Sequence, residues 1–186
     1  GFLGKSLTES LITKNYDVCC LSRVDGLDLT ELNKTKEHFA VFHPDVIINC
    51  AADVGSVHYV ASYPADVLQN NIQMSLNIYL AAKEICPNVT IINPLSNCSY
   101  PGNENIQLES RWWFGEVHES VFSFANSKRM LYVISKCYKK QYGIKSVNIL
   151  LPNLYGPGDS SDPNKTHALN GMIIRMLNAK DNGDDE

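Results

Sequence analysis

The chain has 186 residues, of which 44% are hydrophobic, and this is the size and apolar content of one ordinary globular domain. Its net charge of −4 argues against a basic nucleic-acid-binding surface, although local backbone groups can still hold a small anion. The sequence lacks an apolar run of the roughly 18 to 20 residues that a membrane helix needs, and it does not open like a signal peptide. We therefore expect a soluble cytoplasmic protein with no nucleic-acid or membrane partner.

The cysteines and histidines show no metal-ligand spacing. Six cysteines are scattered along the chain without a CxxC pair, so neither a zinc site nor a disulfide framework is predicted. Most of them are expected to be small core residues in a reducing compartment, and the five histidines to have structural or surface roles. We predict no metal site.

The first third of the chain predicts a helix, a strand and a second helix. Apolar residues at a helical period follow GFLG, and Asp17–Leu21 (DVCCL) is typical of a strand. The segment Leu29–Ala40 predicts a helix with Asp28 or Thr30 as its N-cap, because short polar side chains accept hydrogen bonds from the free N–H groups of a first turn.

The middle of the chain predicts two buried strands that flank a long helix. Asp45–Ala52 (DVIINCAA) and Asn88–Ser96 (NVTIINPLS) are nearly continuous apolar runs, as buried parallel strands are. Between them, Pro64–Glu84 carries apolar residues at a helical period. The next stretch, Asn97–Ser120, is polar, contains tryptophan and has no clear period, and segments of this kind are usually functional or flexible.

The last third predicts a helix at Ser123–Tyr142, a strand at Lys145–Leu151 and a helix at Thr166–Ala179. Strand and helix thus alternate along the chain, which indicates right-handed crossovers and a doubly wound parallel α/β sheet. Ligands of such sheets bind outside the carboxyl ends of the strands. The residues at those ends are 22–23, 51–55, 95–98 and 152–159.

Two glycines three residues apart open the sequence. Gly1 and Gly4 at a helix start suit a turn that phosphate can approach, and they would be the last two glycines of a GxxGxxG fingerprint. An ordinary helix N-terminus is the alternative. The fingerprint requires a preceding strand, and without it the second predicted strand would lie beside an empty place in the sheet. We therefore expect the sequence to be a fragment, truncated at both ends.

Phe124 and Lys128, in the stretch FANSK, are four residues apart on a predicted helix, so their side chains share one face. A tyrosine at position 124 would have its phenol beside an ammonium, whose charge would lower the pKa of the phenol towards the range of a general acid. Ser96 ends the preceding strand, where its hydroxyl could bind a substrate carbonyl. Serine, tyrosine and lysine together would protonate the oxygen of a ketone as hydride reaches its carbon.

Five motifs carry a resemblance that covers nearly the whole chain in order and spacing. They are SNCSYP from Ser96, FANSK from Phe124, PNLYGPGD from Pro152, NKTHAL from Asn164 and YPADVLQNNIQMSLNIYLAAKE from Tyr63. Together they resemble the extended short-chain dehydrogenase/reductase superfamily, the NAD-dependent epimerase/dehydratase family. Within it, the chain is similar to GDP-L-fucose synthases and related nucleotide-sugar 4-keto epimerase/reductases.

The resemblance implies a set of catalytic positions. The family's strand-end serine, the cysteine two residues on, the tyrosine and lysine of YxxxK, and a histidine after the NLYGP loop fall on Ser96, Cys98, Phe124, Lys128 and His167. The implied mechanism has Cys98 and His167 exchange protons at the carbons beside the keto group, after which NADPH reduces the ketone. From the residues alone, Cys98 could equally be a buried structural cysteine and Lys128 part of a solvated helix face.

The resemblance also implies a Rossmann-type fold, a nicotinamide cofactor and a nucleotide-sugar substrate. The cofactor-binding residues are expected to be Gly1, Gly4, Arg23, Ala51, Ala52, Lys128, Asn153 and Leu154. Arg23 follows the second predicted strand, where a cation would receive the 2′-phosphate of NADP, so NADP(H) is favoured over NAD(H). We expect one NAD(P)-binding domain over residues 1–186, with the family's C-terminal substrate-binding part largely beyond Glu186. The two long helices are expected to form a homodimer in the full-length protein.

Phenylalanine at the tyrosine position leaves two hypotheses open. The first is an NADP-dependent epimerase/reductase of a nucleotide-activated 4-keto-6-deoxy sugar. The second is a non-catalytic NADP-binding or partner-binding protein on the same scaffold. Phe124 itself has three explanations: an engineered substitution, a natural pseudoenzyme, or an enzyme that uses another proton donor such as Tyr100, Tyr155 or a water.

Overall fold

The structure, a computed structural model, describes residues 1–183 apart from 161, 163–165 and 167. Its α-helices are α1 (Phe2–Thr13), α2 (Leu32–Phe42), α3 (Val57–Ser62), α4 (Pro64–Ile85), α5 (Phe122–Tyr142) and α6 (Ala168–Asn182). Its strands are β1 (Val46–Ile48), β2 (Thr90–Ser96) and β3 (Lys145–Leu151). Among the described residues, no helix combines the length and the apolar content that a membrane crossing requires.

The three strands form one parallel sheet in the order β1-β2-β3. The central strand is β2, in which Ile91 lies opposite Ile47 of β1 and Ser146 of β3. The crossovers that parallel neighbours require run through α4 and α5. The predicted parallel α/β sheet is confirmed, and the carboxyl ends of all three strands meet at one edge.

The main core lies between one face of this sheet and the two long helices. Burial alternates along β2, so that Ile91 and Leu95 pack against buried residues of α4 and α5 such as Tyr79 and Leu131. The apolar stripes on these helices are what the sequence periodicity predicts. On the opposite face of the sheet, Ile149 of β3 is about two-fifths exposed.

A buried polar network fixes the two longer strands against the helices. The Asn93 side-chain amide donates to the hydroxyl of Tyr79 at 2.8 Å and to Oδ1 of Asn148 at 3.0 Å. Nδ2 of Asn148 in turn donates to Oγ of Ser135 at 3.0 Å, and the hydroxyls of Tyr79 and Ser146 are 2.8 Å apart. Because an unpaired buried polar group is destabilising, these bonds specify the register of β2 and β3 on α4 and α5.

The strand predicted at Asp17–Leu21 is wrong. This segment is outside the sheet, whose strands in the described part of the chain are β1, β2 and β3, and Cys20 is exposed. A strand exists only when its backbone N–H and C=O groups pair with a neighbouring strand, which an apolar pattern alone does not ensure. The strand predicted at Asp45–Ala52 is also shorter than expected, because only Val46–Ile48 pairs with β2.

The start of α2 differs from the prediction. The helix begins at Leu32 with Glu31 as its N-cap, and that residue makes no capping side-chain hydrogen bond. Asp28 does not cap the helix, because its Oδ1 accepts hydrogen bonds from the backbone N–H and the hydroxyl of Thr30 at 2.9 and 2.7 Å. These bonds close a turn ahead of the helix and lower the pKa of the Asp28 carboxyl.

The long polar stretch after β2 is folded onto the domain. It contains three short 3-10 helices at Asn97–Ser99, Glu109–Arg111 and Glu119–Val121. An isolated antiparallel bridge joins Pro101 to Val117 and closes the stretch into a loop. The absence of a helical or strand period is explained by these short turns.

Candidate functional site

Two predicted catalytic side chains lie where β2 ends. Ser96 is the last residue of the strand, and the 3-10 turn at Asn97–Ser99 carries Cys98. The Ser96 hydroxyl accepts a hydrogen bond from the Cys98 backbone N–H at 3.2 Å and donates to Oδ1 of Asn97 at 3.3 Å. The turn therefore places a hydroxyl and a thiol together at the carboxyl edge of the sheet.

Phe124 belongs to the apolar cluster on which Cys98 packs. It lies in the first turn of α5, is 8% exposed, and forms a small apolar cluster with Val60 of α3 and Val67 of α4. Cys98 and Tyr59 are partly buried and pack against this cluster. The structure thus brings residue 124 and Cys98 together, although they come from different elements.

Lys128 lies one helical turn after Phe124 and is buried, with 7% of its surface exposed. Its Nζ is 5.4 Å from the centroid of the Phe124 ring. Burial lowers the pKa of the Lys128 amine from its ordinary value of 10.5 to about 8, and the thiol of Cys50, just past β1, acts weakly in the opposite direction. None of the ion pairs among the described residues includes Lys128.

Replacing Lys128 with methionine is expected to stabilise the full-length protein at pH 7 by about 3 kcal/mol, because burial lowers the pKa from 10.5 to about 8 and one pKa unit corresponds to about 1.4 kcal/mol. The folded state releases this proton at about pH 8 and the unfolded state near 10.5, so the unfolded state binds more protons between those values. The destabilisation by Lys128 is therefore complete below about pH 8 and is relieved as the pH rises towards 10.5. Urea unfolding at several pH values measures it.

The matched control is Lys136→Met, which removes an exposed ammonium from the same helix. We expect this control to change the free energy of unfolding by less than about 0.5 kcal/mol at any pH. A stabilisation by Lys128→Met that is as large near pH 10.5 as at pH 7 would contradict a buried, charge-destabilising amine.

The start of α1 lies against the segment that follows β1. The helix begins at Phe2 with Gly1 as its N-cap, and its first turn has no capping side chain and no acidic residue. A Cβ placed on Gly4 would be 3.5 Å from the Cβ of Cys50, so the helix and the strand end are in direct contact. Uncapped N–H groups at a helix start favour a bound phosphate. The pyrophosphate-binding role of Gly1 and Gly4 stays a prediction.

The loop after β1 is anchored to α4. The alanines at 51–52 are half-buried, and the next residue, Asp53, accepts hydrogen bonds from the Tyr59 hydroxyl at 3.0 Å and from Nδ2 of Asn70 at 2.7 Å. Asn71 bonds both the backbone N–H and the carbonyl of Asp53, at 3.0 and 2.8 Å. The sequence did not reveal this anchor, because its members are up to 18 residues apart.

Two buried polar atoms close to these residues have no hydrogen-bond partner among the described residues. One is Oδ1 of Asn49, which precedes Cys50, and the other is Oγ of Ser123, which precedes Phe124. Buried polar atoms are nearly always satisfied by protein, water or ligand. Their positions are consistent with a site that takes up polar groups at this edge of the sheet.

The remaining predicted site residues come from other segments of the chain. Asn153 is exposed and Leu154 is half-buried, and both follow β3 at the same carboxyl edge. Arg23 is exposed in a short 3-10 turn, and it helps to lower the pKa of Asp28. His167 falls outside the described residues.

The other tyrosines are poor substitutes for the proton donor that a tyrosine at position 124 would provide. Tyr100 is 8% exposed and belongs to the main core, and burial raises the pKa of its phenol. Tyr155 is 68% exposed. Tyr59 packs against the Phe124 cluster, but its hydroxyl donates to Asp53, and burial together with that carboxylate raises the pKa of its phenol. No sequence signal placed Tyr59 here, because α3 was not predicted.

Comparison with known families and curated proteins gives concordant matches. The profile of the NAD-dependent epimerase/dehydratase family matches residues 1–184. The GDP-L-fucose synthase of Dictyostelium discoideum is 28% identical over 188 residues, covering 100% of this chain and 58% of that protein. The probable GDP-L-fucose synthase of Drosophila melanogaster is 31% identical over 151 residues, covering 80% of this chain and 46% of that protein. The chain therefore spans about half the length of these relatives.

Solved structures show the same fold. A crystal structure of a GDP-L-fucose synthetase from Naegleria fowleri bound to NADP aligns with a TM-score of 0.87 at 24% sequence identity. The alignment covers 100% of this chain and 61% of that one. At this identity the likeness establishes the fold alone, and it confirms the Rossmann-type architecture predicted from the sequence.

Proposed function

The chain belongs to the NAD-dependent epimerase/dehydratase family, and from this premise we propose that the protein is an NADP-dependent epimerase/reductase of a GDP-linked 4-keto-6-deoxy sugar. The observation that carries the proposal is the packing of Cys98 on the apolar cluster that contains residue 124, with Lys128 one turn further along α5. The curated relatives named GDP-L-fucose synthase support GDP as the nucleotide.

The cofactor would lie along the carboxyl edge of the sheet. The uncapped start of α1 at Gly1 and Gly4 would hold its pyrophosphate, and Arg23 its 2′-phosphate. Its nicotinamide end would be held by Lys128 and by residues that follow the strands, namely Ala51, Ala52, Asn153 and Leu154. When bound, the cofactor supplies a hydride, and the protein orients the ketone towards it.

The side chains at the end of β2 would carry out the proton transfers. The hydroxyl of Ser96 would donate a hydrogen bond to the keto oxygen, which acidifies the carbons on either side of the ketone. Cys98 would remove a proton from one of these carbons, and His167 would return one from the other side. The charge of Lys128 would stabilise negative charge on the oxygen.

Phe124 bears mainly on the reduction step. Hydride addition creates an alkoxide that needs a proton, and phenylalanine has none to give. Epimerisation needs only the exchange of protons at carbon, for which Cys98 and His167 suffice. We therefore infer that the Phe124 protein catalyses ring-proton exchange faster than it catalyses reduction.

The alternative, a non-catalytic protein on this scaffold, is favoured by one observation. Phe124 is buried in an apolar cluster with Val60 and Val67, so its ring has a packing role of its own. Such a protein would bind NADPH and would fail to exchange sugar protons. A homodimer formed by α4 and α5, and a cytoplasmic location, stay predictions.

Calorimetric titration of the full-length protein tests the ligands of both hypotheses. We expect binding of NADPH and of GDP, and weaker binding of UDP, which serves as the control nucleotide. Equal affinity for GDP and UDP would contradict the proposed substrate class. Failure to bind either nicotinamide cofactor would contradict the proposed function and leave, of the alternative, only a partner-binding protein.

Replacing Arg23 with alanine is expected to weaken NADPH binding about 10 to 100-fold, because a charge-assisted hydrogen bond to phosphate contributes roughly 1.5 to 3 kcal/mol. NADH affinity should change by less than about twofold, since NADH lacks the 2′-phosphate. Fluorescence titration with both cofactors measures the two constants. The control Arg175→Ala removes an exposed arginine from α6 and should change the affinity for neither cofactor. An equal loss of NADPH and NADH affinity in Arg23→Ala would contradict the proposed contact of Arg23 with the 2′-phosphate.

A further inference from the structure

Arg129, which directly follows Lys128 on α5, clamps the backbone of the loop that leaves β2. Its Nε donates to the carbonyl oxygen of Ser99 at 2.8 Å. Its two terminal nitrogens donate to the carbonyl oxygens of Gly115 and Trp112 at 2.9 and 3.0 Å. One rigid guanidinium thus joins the helix to three points of a loop that is 14 to 30 residues away in sequence.

Ser99 links Arg129 to the turn that carries Cys98. Its hydroxyl donates a short hydrogen bond to the carbonyl oxygen of Ser96 and accepts one from Nε1 of Trp112 at 2.8 Å. Ser99 is fully buried, and it is adjacent to Cys98 in the chain. The carbonyl of Ser96 and the backbone next to Cys98 are therefore both held by groups that are tied to Arg129.

Aromatic side chains also pack on Trp112 and on the guanidinium of Arg129. Trp112 is 7% exposed and makes an edge contact with Tyr132 of α5 at 5.2 Å between ring centroids. The guanidinium of Arg129 lies 5.6 Å from the ring centroid of Trp113, which packs on Trp112 at 5.2 Å. Hydrogen bonds and aromatic contacts therefore both hold the loop on α5. We call this set of residues the Arg129–Ser99–Trp112 brace.

The chemistry of the proposed site needs such a brace. Ser96 and Cys98 belong to the end of β2, whereas residue 124 and Lys128 belong to α5, and a substrate carbonyl must meet both sets at once. A displacement of about 1 Å between such groups can reduce a rate by about 100-fold. Loops after strands are otherwise the least fixed parts of a fold.

We propose that Arg129 is a positioning residue that, through Ser99 and Trp112, fixes the Ser96–Cys98 turn on the helix that carries residue 124 and Lys128. The inference rests on the proposed function of these four positions. Arginine is required because its planar fork can donate to several carbonyl oxygens in fixed directions, whereas a lysine ammonium acts as a single point donor. The guanidinium stays charged although burial lowers its pKa somewhat.

The first test uses the full-length protein with tyrosine at position 124 as its parent. We expect Arg129→Lys to lower kcat for NADPH oxidation with a GDP-linked 4-keto sugar about 10 to 100-fold. The KM for NADPH should stay within about twofold, because the cofactor-holding groups of α1 and β1 are not touched by the brace. Trp112→Phe keeps an aromatic ring but removes the Nε1–H donor and part of the indole packing, and it should lower kcat in the same direction by about 3 to 10-fold.

The control for charge is Arg111→Gln. Arg111 lies in the same loop and pairs with Glu104 at 2.7 Å, but it takes no part in the brace. Its removal should leave kcat and KM at the parent values. A loss of activity in Arg111→Gln equal to that in Arg129→Lys would assign the effect to general loop stability and overturn the proposal.

The second test does not require turnover. In the Phe124 protein, the rate at which iodoacetamide alkylates Cys98 is followed against pH by mass spectrometry, with exposed Cys137 as the internal reference. We expect Arg129→Lys to change the profile of Cys98 and to leave that of Cys137 unchanged. Amide hydrogen exchange over 97–117 should become faster in the variant.

The outcomes separate the inference from the function on which it rests. If the tyrosine parent shows no turnover, Phe124 is not the lesion that the proposed function infers, and Cys98 alkylation and hydrogen exchange still decide whether Arg129 holds the turn. If Arg129→Lys leaves kcat, the Cys98 profile and hydrogen exchange as in the parent, the positioning role is overturned. A fall in kcat that is matched by an equal rise in the KM for NADPH would also overturn it.

Discussion

Replacing Phe124 with tyrosine in the full-length protein is expected to raise NADPH-dependent reduction of a GDP-linked 4-keto-6-deoxy sugar by about 10² to 10⁴. The Phe124 ring belongs to the cluster on which Cys98 packs and has Nζ of Lys128 5.4 Å from its centroid, so a phenol here would lie near the predicted catalytic side chains. The added phenol would lie near that ammonium, whose charge lowers the pKa of a phenol. The rate is measured as NADPH consumption under saturating substrate.

Two variants control this experiment. Phe122→Tyr adds the same hydroxyl to an exposed phenylalanine two residues earlier on α5 and should give no gain. Lys128→Met in the tyrosine background should remove most of the gain, because it removes the charge that activates the phenol. If Phe124→Tyr binds NADPH, keeps its thermal stability and still shows no faster reduction, Phe124 is not the lesion that we infer.

Replacing Cys98 with alanine is expected to slow deuterium incorporation into the sugar ring by about 10² to 10⁴, the range for loss of a general acid or base. The effect should be visible in the Phe124 protein, because ring exchange needs a base at carbon and a hydrogen bond to the keto oxygen, which Ser96 would donate, but no proton transfer to that oxygen. Cys98 is half-buried in the turn that Ser96 begins, and it packs on the cluster that contains Phe124. Mass spectrometry of the sugar nucleotide in deuterated water measures the exchange.

The matched control is Cys137→Ala, which removes an exposed thiol from α5. It should leave ring exchange unchanged, and the affinity for NADPH should be the same in both variants. Exchange that continues at the parent rate in Cys98→Ala would show that another group is the base. Absence of exchange in the Phe124 protein, with NADPH still bound, would instead favour the non-catalytic alternative.

Much of the fold could be predicted because the relevant signals are local. The helices α4 and α5 and the strands β2 and β3 are found within two residues of their predicted bounds, since each long element repeats an apolar pattern that its own backbone period imposes. The failures are at Asp17–Leu21, at the start of α2, at Asp45–Ala52, where only Val46–Ile48 forms a strand, and at α3, which was not predicted. Asp17–Leu21 has the apolar pattern of a strand but does not pair with a neighbouring strand. At the start of α2, Asp28 closes a turn onto Thr30 instead of capping the helix.

The residues of the candidate site could be predicted from the sequence, but their arrangement in space could not. The motifs named Ser96, Cys98, Phe124 and Lys128, but they left a buried thiol and a solvated lysine open as alternatives. Burial of Lys128 beside the Phe124 ring rules out the solvated helix face, and Cys98 is half-buried against the same cluster. The catalytic and cofactor roles themselves stay predictions until the variants are measured.

The sequence by itself determined the succession of the longer strands and helices and the parallel α/β class, because periodicity is a property of neighbouring residues. Its resemblance to a family predicts that residue 124 stands at a tyrosine position. Only the tertiary structure decided the pKa of Lys128, the bond that commits Tyr59 to Asp53, and the brace of Arg129. Each of these depends on desolvation or on contacts between segments that are far apart in the chain, and the packing of α5 against the end of β2 creates that environment.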